Sequence, residues 1–420
     1  MTFEEVMDYL YSALPMYQRV GAAAYKKDLT NTIALCEHLE NPQNKFRSVH
    51  VAGTNGKGSS SHYIASILQT AGLKVGLYTS PHLKSFTERI RINGVEVQEN
   101  FVVEFVESNR NAIERIEPSF FEITVAMAFD YFAKEEVDIA IIETGLGGRL
   151  DSTNVITPLV SLITNISLDH EAMLGDSLPL IAIEKAGIIK RKVPLIISEK
   201  QEEVADIFEE KASELETSIV FAEKKYNALK KGSVLIGGKP LSIDANSFAE
   251  FQLKNLAGVL CVIEELNKQG FRIKRDAIKE GVKKVADNTG LKGRWQRISN
   301  NPVMYCDTAH NQAGIHQVLG LLQKQNYRKL HMIWGMVNDK NVDSILAMLP
   351  RDAIYYFCKP DIPRGLDSIE LLQSAEKASL HGRNYSSVNS AIAEAKENAS
   401  ADDLIFVGGS TFVVAEIDDL

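Results

Sequence analysis

The sequence predicts an α/β protein in which a large, mostly parallel sheet domain is followed by a smaller α/β domain. Three observations carry that prediction. Apolar, β-branched runs alternate with amphipathic stretches along most of the 420 residues. The runs are too apolar to leave one face in water, as parallel strands covered by helices on both sides would be. The alternation also lapses and restarts near residue 303, in a chain too long for one ordinary core.

Taken in order, Ser48–Ala52 reads as the first strand. Ser60–Ala71 reads as a helix, because Ile64, Ile67, Leu68 and Ala71 recur at helical spacing and Gly72 stands in the C-cap position. Val75–Tyr78, Val137–Ile142, Val160–Thr164 and Val193–Ile197 read as further strands, the last followed by a helix over Glu202–Leu215. Between Thr217 and Pro240 the pattern weakens into short strands with Lys-Gly and Gly-Gly turns, and Phe251–Lys268 resumes a helical period. The second series has strands at Val303–Cys306, Leu330–Trp334, Ala353–Phe357 and Leu404–Val407. Helices at Ile315–Gln325, Val342–Met348 and Ile369–Ala378 lie between them. Gly293, the Asn300-Asn301-Pro302 turn and lost periodicity coincide across Arg294–Asn301, so the expected domains are residues 1–296 and 297–420.

Composition excludes several classes. Hydrophobic residues at 45% and charged residues at 24% rule out wholesale disorder, collagen-like repeats and coiled coil. A net charge of −9 argues against nucleic acid or an anionic membrane as the main partner, so any anion must meet a local pocket. Cys36, Cys261, Cys306 and Cys358 are far apart and form no C-x-x-C pair, which suggests buried thiols rather than zinc ligands or disulfides. The N-terminus Met1-Thr2-Phe3-Glu4-Glu5-Val6 carries acid where a signal peptide needs base, and no apolar run approaches a membrane span. A cytoplasmic protein is expected.

The first strand runs into Gly53-Thr54-Asn55-Gly56-Lys57-Gly58-Ser59-Ser60, with a helix directly after. Such a loop lets backbone N–H groups curl around a phosphate, the helix N-terminus adds its positive end, and Lys57 supplies a point charge for the β/γ-phosphates. A plain glycine turn is the bland alternative, and strand, loop, lysine and helix in succession favour a nucleotide site. The usual pattern has a glycine five residues before the Gly-Lys pair and a hydroxyl residue after the lysine. Val51 and Gly58 occupy those positions. Gly58 offers Mg²⁺ no hydroxyl, so a metal ligand is sought elsewhere or at Ser59.

In open parallel sheets ligands gather beyond the carboxyl ends of the strands. Ser80, Glu143 and His170 all stand at such ends. A hydroxyl and a carboxylate suit Mg²⁺, which keeps several waters and needs few protein ligands. Singly, Ser80 could be a helix cap and His170 an ordinary hydrogen-bonded histidine. Their shared edge favours metal binding. The glycines of Gly145-Leu146-Gly147-Gly148 permit close approach to a ligand or metal, or form a merely flexible turn. For Lys185 the bland reading is a salt-bridging lysine.

These segments together resemble a known family. His50–Ser59, Tyr78–Leu83, Glu88-Arg89-Ile90, Ser119–Glu122, Gly145–Asn154, Asp169-His170 and Glu184–Gly187 look like folylpolyglutamate synthase, often bifunctional with dihydrofolate synthase, in the Mur ligase superfamily. Gly293-Arg294, Asp307–Asn311, Gly335–Lys340 and Gly408–Ser410 extend the resemblance over nearly the whole chain. It implies a P-loop ATP- and folate-binding domain followed by a Rossmann-like glutamate-binding domain. It further implies ATP-dependent addition of L-glutamate to dihydropteroate, to tetrahydrofolate (poly)glutamates, or to both, through an acyl phosphate. Thr54, Asn55, Gly56, Lys57, Gly58, Ser59, Asn255, Arg294 and Asp307 would contact ATP. Ser80 and Glu143 would hold one Mg²⁺, and His170 with a carbamylated Lys185 a second. Arg19, Val20, Gly21, Ala22, Ser119, Phe120, Phe121, Glu122, Leu150, Asp151 and Ser152 would meet the pterin substrate, with a core role as the bland reading for Phe120 and Phe121. His310 and Ser410 would face glutamate. The chain departs from the family pattern at Phe251-Gln252, where His usually precedes the glutamine, at Lys292, where Pro precedes Gly-Arg, and at Phe412, where Tyr is usual.

A peptidoglycan-type Mur ligase is the nearest alternative, but only 52 residues precede Gly53, too few for the extra N-terminal domain of those relatives. A P-loop binding module with conformational output is a third reading, which leaves a second domain carrying His310 without a purpose. The expected protein is a monomer with a cleft that closes before reaction.

Overall fold

A computed structural model describes residues 1–15, 28–245, 248–338 and 342–420, and the chain divides into two compact units, Met1–Leu291 and Lys292–Leu420. Arg19, Val20, Gly21 and Ala22 lie outside the described residues. Among the described residues no helix is long and apolar enough to cross a membrane. All four cysteines are buried and free.

Unit 1 is built on β1 (Ser48–Ala52), β2 (Val75–Tyr78), β3 (Ile90–Ile92), β4 (Val95–Glu96), β5 (Ile139–Glu143), β6 (Val160–Ile163), β7 (Leu195–Ile197) and β8 (Ile219–Phe221). Their order across the sheet is β4-β3-β2-β5-β1-β6-β7-β8. From β2 to β8 every pair is parallel, while β3 and β4 add an antiparallel edge. That edge escapes the sequence pattern because its strands are short and interrupted by charge, Arg91 of β3 pairing with Glu96 of β4 at 3.1 Å. A separate hairpin of β9 (Ser233–Ile236) and β10 (Lys239–Ser242) accounts for the weak strands around the Gly-Gly turn.

Side chains alternate across the strands, so each fills a different layer. Val49, Val51, Ile139, Ile141 and Leu162 meet the helices Lys57–Thr70 and Glu250–Lys268 on one face. Tyr78, Ala140 and Ile142 meet the helix Phe120–Lys134 on the other. The first of these helices starts at Lys57 rather than Ser60, and it is buried from Ser60 to Leu68 rather than along one stripe. The second wall is the helix Arg275–Lys283, which crosses so closely that a Cβ on Gly281 would fall 2.6 Å from Ile67 Cα. Ser66 Oγ donates to the Gly281 carbonyl at 2.6 Å across the same crossing.

Unit 2 has β11 (Gln296–Asn300), β12 (Val303–Cys306), β13 (Leu330–Trp334), β14 (Ile354–Cys358), β15 (Gly382–Tyr385) and β16 (Leu404–Gly408), in the order β11-β12-β16-β13-β14-β15. All pairs are parallel except β11 with β12. The two edge strands, Gln-Arg-Ile-Ser-Asn and Gly-Arg-Asn-Tyr, carry too little apolar signal to be found by pattern. Gly293 and Arg294 belong to this unit, where Thr308 N donates to the Gly293 carbonyl at 3.0 Å.

Gly281→Ala should lower stability by about 1–3 kcal/mol through overpacking of the helix crossing. A denaturant midpoint equal to that of the wild type would show that the crossing relaxes freely.

Candidate active site

The loop after β1 is held from outside itself. Thr54 N donates to the Asn165 carbonyl at 2.9 Å, and Asn55 N donates to Asn165 Oδ1 at 3.0 Å. Asn165 Nδ2 and Thr164 Oγ1 return hydrogen bonds to the Asn55 carbonyl at 3.1 and 2.7 Å. Gly56 has φ +87°, a left-handed conformation that favours glycine, and a Cβ there would lie 2.5 Å from the Asn255 amide. Asn255 is therefore packed directly on the loop, from a helix two hundred residues later. Gly56 caps the helix, so Lys57, Gly58 and Ser59 form its first turn and leave their N–H groups free of intrahelical partners.

Two lysines converge on one carbonyl in this loop. The Gly53 oxygen accepts from Lys57 Nζ at 3.1 Å and from Lys185 Nζ at 2.8 Å, and Lys57 also donates to the Thr54 oxygen at 3.2 Å. Lys185 is 3% exposed. Burial, and then the charge of Lys57, push its ammonium down to about 7, against the opposing pull of Asp169 and Asp151. It donates to a carbonyl rather than salt-bridging a carboxylate.

Glu143 ends β5 in register with Val51 of β1, and its Oε2 accepts from Ser80 N at 3.2 Å. The two residues thus stand side by side at the edge that carries the loop. Among the described residues no three of His, Cys, Asp and Glu gather as a preformed metal cluster. A hydroxyl and a buried carboxylate beside a phosphate loop nevertheless suit a hard cation such as Mg²⁺ or Mn²⁺, which takes its remaining ligands from phosphate and water. His170, at φ +52°, follows Asp169, whose Oδ1 accepts from His170 N at 2.9 Å.

The residues expected around the pterin divide into structural and available groups. Ser119 and Glu122 close a reciprocal cap on the helix Phe120–Lys134, Glu122 N donating to Ser119 Oγ at 3.3 Å and Ser119 N to Glu122 Oε2 at 2.6 Å. Phe120 is a core residue, whereas Phe121 is half-buried, 6.2 Å from the Tyr78 ring and pressed on Gly145. The Asp151 carboxylate is buried, which raises its pKa, and it accepts from Leu146 N at 2.7 Å and Thr153 N at 3.0 Å. Leu150 is half-buried and Ser152 buried beside it. His50 Nε2 lies 2.8 Å from Thr153 Oγ1, which itself donates to Asp151, so this loop is tied back to β1. The glycines serve the protein's own packing: a Cβ on Gly148 would lie 2.9 Å from the Glu184 and Lys185 carbonyls.

In unit 2 the expected residues also collect at carboxyl ends of strands. Asp307, just after β12, accepts from Trp295 N at 2.7 Å and Ala309 N at 2.8 Å; burial raises its pKa, opposed by the charge of Arg294. His310 is half-buried with Nδ1 3.1 Å from the Thr308 carbonyl. Ser410, just after β16, caps the helix Thr411–Ala415 by accepting from Val413 N at 3.1 Å, and its hydroxyl proton stays available.

The Mur ligase middle-domain family matches residues 51–263, and the Mur ligase glutamate-ligase-domain family matches residues 293–411. A Bacillus subtilis dihydrofolate synthase/folylpolyglutamate synthase is 31% identical over 91% of this chain and 92% of its own. The chain belongs to the Mur ligases, among the folylpolyglutamate and dihydrofolate synthases. A Haloferax volcanii protein named as a probable bifunctional folylpolyglutamate synthase/dihydropteroate synthase is 30% identical over 99% of this chain, which spans 50% of that relative. Among solved structures, Escherichia coli FolC in complex with DHPP and ADP superposes with a TM-score of 0.83 at 28% identity, covering 99% of this chain and 96% of the other. The Yersinia pestis enzyme complexed with AMPPNP and Mn ion gives 0.82 at 27% identity, covering 99% and 97%.

Sequence reasoning passed over Thr164, Asn165 and Gln201, which shape this Mur ligase's loop; Gln201 brackets Ile166 through both its amide and carbonyl at 2.7 and 2.8 Å. A signal was present in Thr164-Asn165, polar residues directly beyond a fully buried strand.

Lys57→Met removes the charge beside Lys185, so the Lys185 midpoint should rise above about 7. The pH dependence of acylation at Lys185, followed by peptide mass spectrometry, reads that shift; an unchanged midpoint would leave burial as its only cause.

Proposed function

We propose that this Mur ligase uses ATP to join L-glutamate to dihydropteroate, to tetrahydrofolate and its polyglutamates, or to both. The observation that carries the reading is the edge shared by the lysine-bearing phosphate loop and the Ser80–Glu143 pair. That edge brings charge neutralisation and metal-binding oxygens to the place where a phosphoryl group is transferred. A carboxylate is a poor electrophile until one of its oxygens becomes a leaving group. Its oxygen attacks the γ-phosphorus and ADP departs. The glutamate nitrogen then attacks the acyl carbon, loses a proton, and phosphate leaves with the acceptor oxygen.

The residues divide the work accordingly. Thr54 to Ser59 bind the phosphates through backbone N–H groups, and Lys57 leaves the Gly53 and Thr54 carbonyls to reach them. Asn255, Arg294 and Asp307 hold the rest of ATP. Ser80 and Glu143 would hold one Mg²⁺, and His170 and Lys185 a second; when bound, the ions neutralise charge on the phosphates. Lys185 is suited to carbamylation because a lysine near 7 is about half neutral at that pH and largely neutral above it, and only the neutral amine adds CO₂. The reaction releases a proton and turns a cation into an anionic oxygen ligand. Ser119–Glu122 and Leu150–Ser152 frame the pterin, with Phe121 the half-buried ring of its pair. His310 and Ser410 serve glutamate. The reading places the enzyme with soluble cytoplasmic proteins working as monomers.

Glutamate-dependent ADP release with dihydropteroate or tetrahydrofolate tests the reading; none with these or with folate would overturn it. Lys57→Ala should abolish turnover. Arg294→Ala should lower kcat, and a wild-type rate would remove Arg294 from the mechanism. Carbon-13 NMR of protein in labelled bicarbonate should show a carbamate resonance that strengthens from pH 6 to 8, following the neutral amine of Lys185, and that is absent from Lys185→Ala.

A further inference from the structure

The Glu88-Arg89-Ile90 segment has no part in the chemistry above, yet it holds an unusual group. Arg89 is 3% exposed. Its carbonyl accepts from Thr79 N at 3.0 Å, and Ile90 pairs with Tyr78, so it stands at the carboxyl end of β2 beside Ser80. Its guanidinium donates from Nε to His82 Nδ1 at 2.8 Å and lies 5.3 Å from the centre of the Phe120 ring. His82 is a neutral partner, its pKa well below the ordinary value because of burial and the guanidinium itself.

A guanidinium carries five N–H donors and a charge that no neutral acceptor cancels. Among the described residues Arg89 makes no ion pair; Glu143 acts on it only at longer range. Beside it lies the Tyr78 hydroxyl, buried and interacting with the guanidinium, with no other partner among the described residues. A buried cation and a buried hydroxyl, both short of partners, face the same segment, since Phe120 lies under the one and Phe121 against the other. A buried cation with only neutral partners and a buried hydroxyl whose proton lacks an acceptor are together costly unless something fills the place. The missing partner is anionic and planar enough to take a guanidinium fork. ATP is held two strands away, after β1. On the β2 side the negative group the reaction supplies is the acceptor's carboxylate.

We propose that Arg89, assisted by the Tyr78 hydroxyl, binds the carboxylate of the pteroate acceptor and so positions the oxygen that is phosphorylated. This rests on the functional reading above and adds a substrate-binding residue to it. The test is calorimetric binding, to the ADP-loaded protein, of dihydropteroate and of the same molecule lacking its carboxyl group. Wild type should prefer dihydropteroate on the order of ten- to hundred-fold, the worth of one hydrogen-bonded charge pair. Arg89→Gln should bind the two alike, with the decarboxylated ligand near its wild-type affinity, and Arg89→Lys should fall between. Retained ADP affinity shows that a variant is folded; should Arg89→Gln lose it, Arg89→Lys and Tyr78→Phe carry the comparison, each expected to narrow the preference. An undiminished preference in the folded variants, or equal weakening of both ligands, overturns the proposal. If wild type binds both ligands without preference, Arg89 fails while the functional reading stands. If it binds neither, the functional reading fails and takes this assignment with it.

Discussion

Parallel pairing of β1 with β5 and β6 governs where every chemical group of unit 1 comes to lie. Val51 is set beside Glu143, and Ala52 beside Ile163, with Thr144 N and Thr164 N donating to the Val51 and Ala52 carbonyls at 2.9 and 3.0 Å. The phosphate loop, the carboxylate and the Thr164-Asn165 pair therefore begin at one level. Because side chains alternate along a strand, a slip of one residue would turn Glu143 to the opposite face and put an isoleucine in its place. The apolar layers on the two faces oppose that slip, so the hydrophobic core and the chemistry are specified by the same register.

The second organising feature is electrostatic. A chain of net charge −9 nonetheless concentrates cations at this edge, with Lys57 and Lys185 on one carbonyl and Arg89 nearby. The repulsion between Lys57 and Lys185 and the burial of Lys185 and Arg89 are unfavourable in the absence of anions. On the proposed reading, phosphate and carboxylate groups arriving there would relieve both and concentrate binding energy on substrates that bring negative charge.

The sheet order's inner strands and the phosphate loop were legible in the sequence because apolar runs and glycine spacing are local signals. The polar edge strands β11 and β15 were not, since Gln-Arg-Ile-Ser-Asn and Gly-Arg-Asn-Tyr owe their pairing to a neighbour rather than to their own composition. In the candidate site, Lys57 stood out by the glycine-lysine loop ahead of a helix, and Ser80, Glu143 and His170 by their places beyond strand ends. Asn165 could not be assigned its role, because its hydrogen bonds to Asn55 span 110 residues of sequence. Lys185 shows the same limit. Nothing in Glu184-Lys185-Ala186-Gly187 reveals that the amine will be enclosed with a second lysine, which is what separates it from an ordinary surface cation. Phe120 and Phe121 are neighbours of identical type, and only the packing of the helix decides which enters the core.

The pressing of Asn255 against Gly56 sets an order of events during synthesis. The loop is translated early, but the side chain that completes its wall belongs to the helix Glu250–Lys268. An emerging chain that ends before this helix can pair β1 with β5 and β6, yet its loop still lacks that wall. The loop's wall is thus completed only by a chain long enough to bring the sheet and its covering helix together.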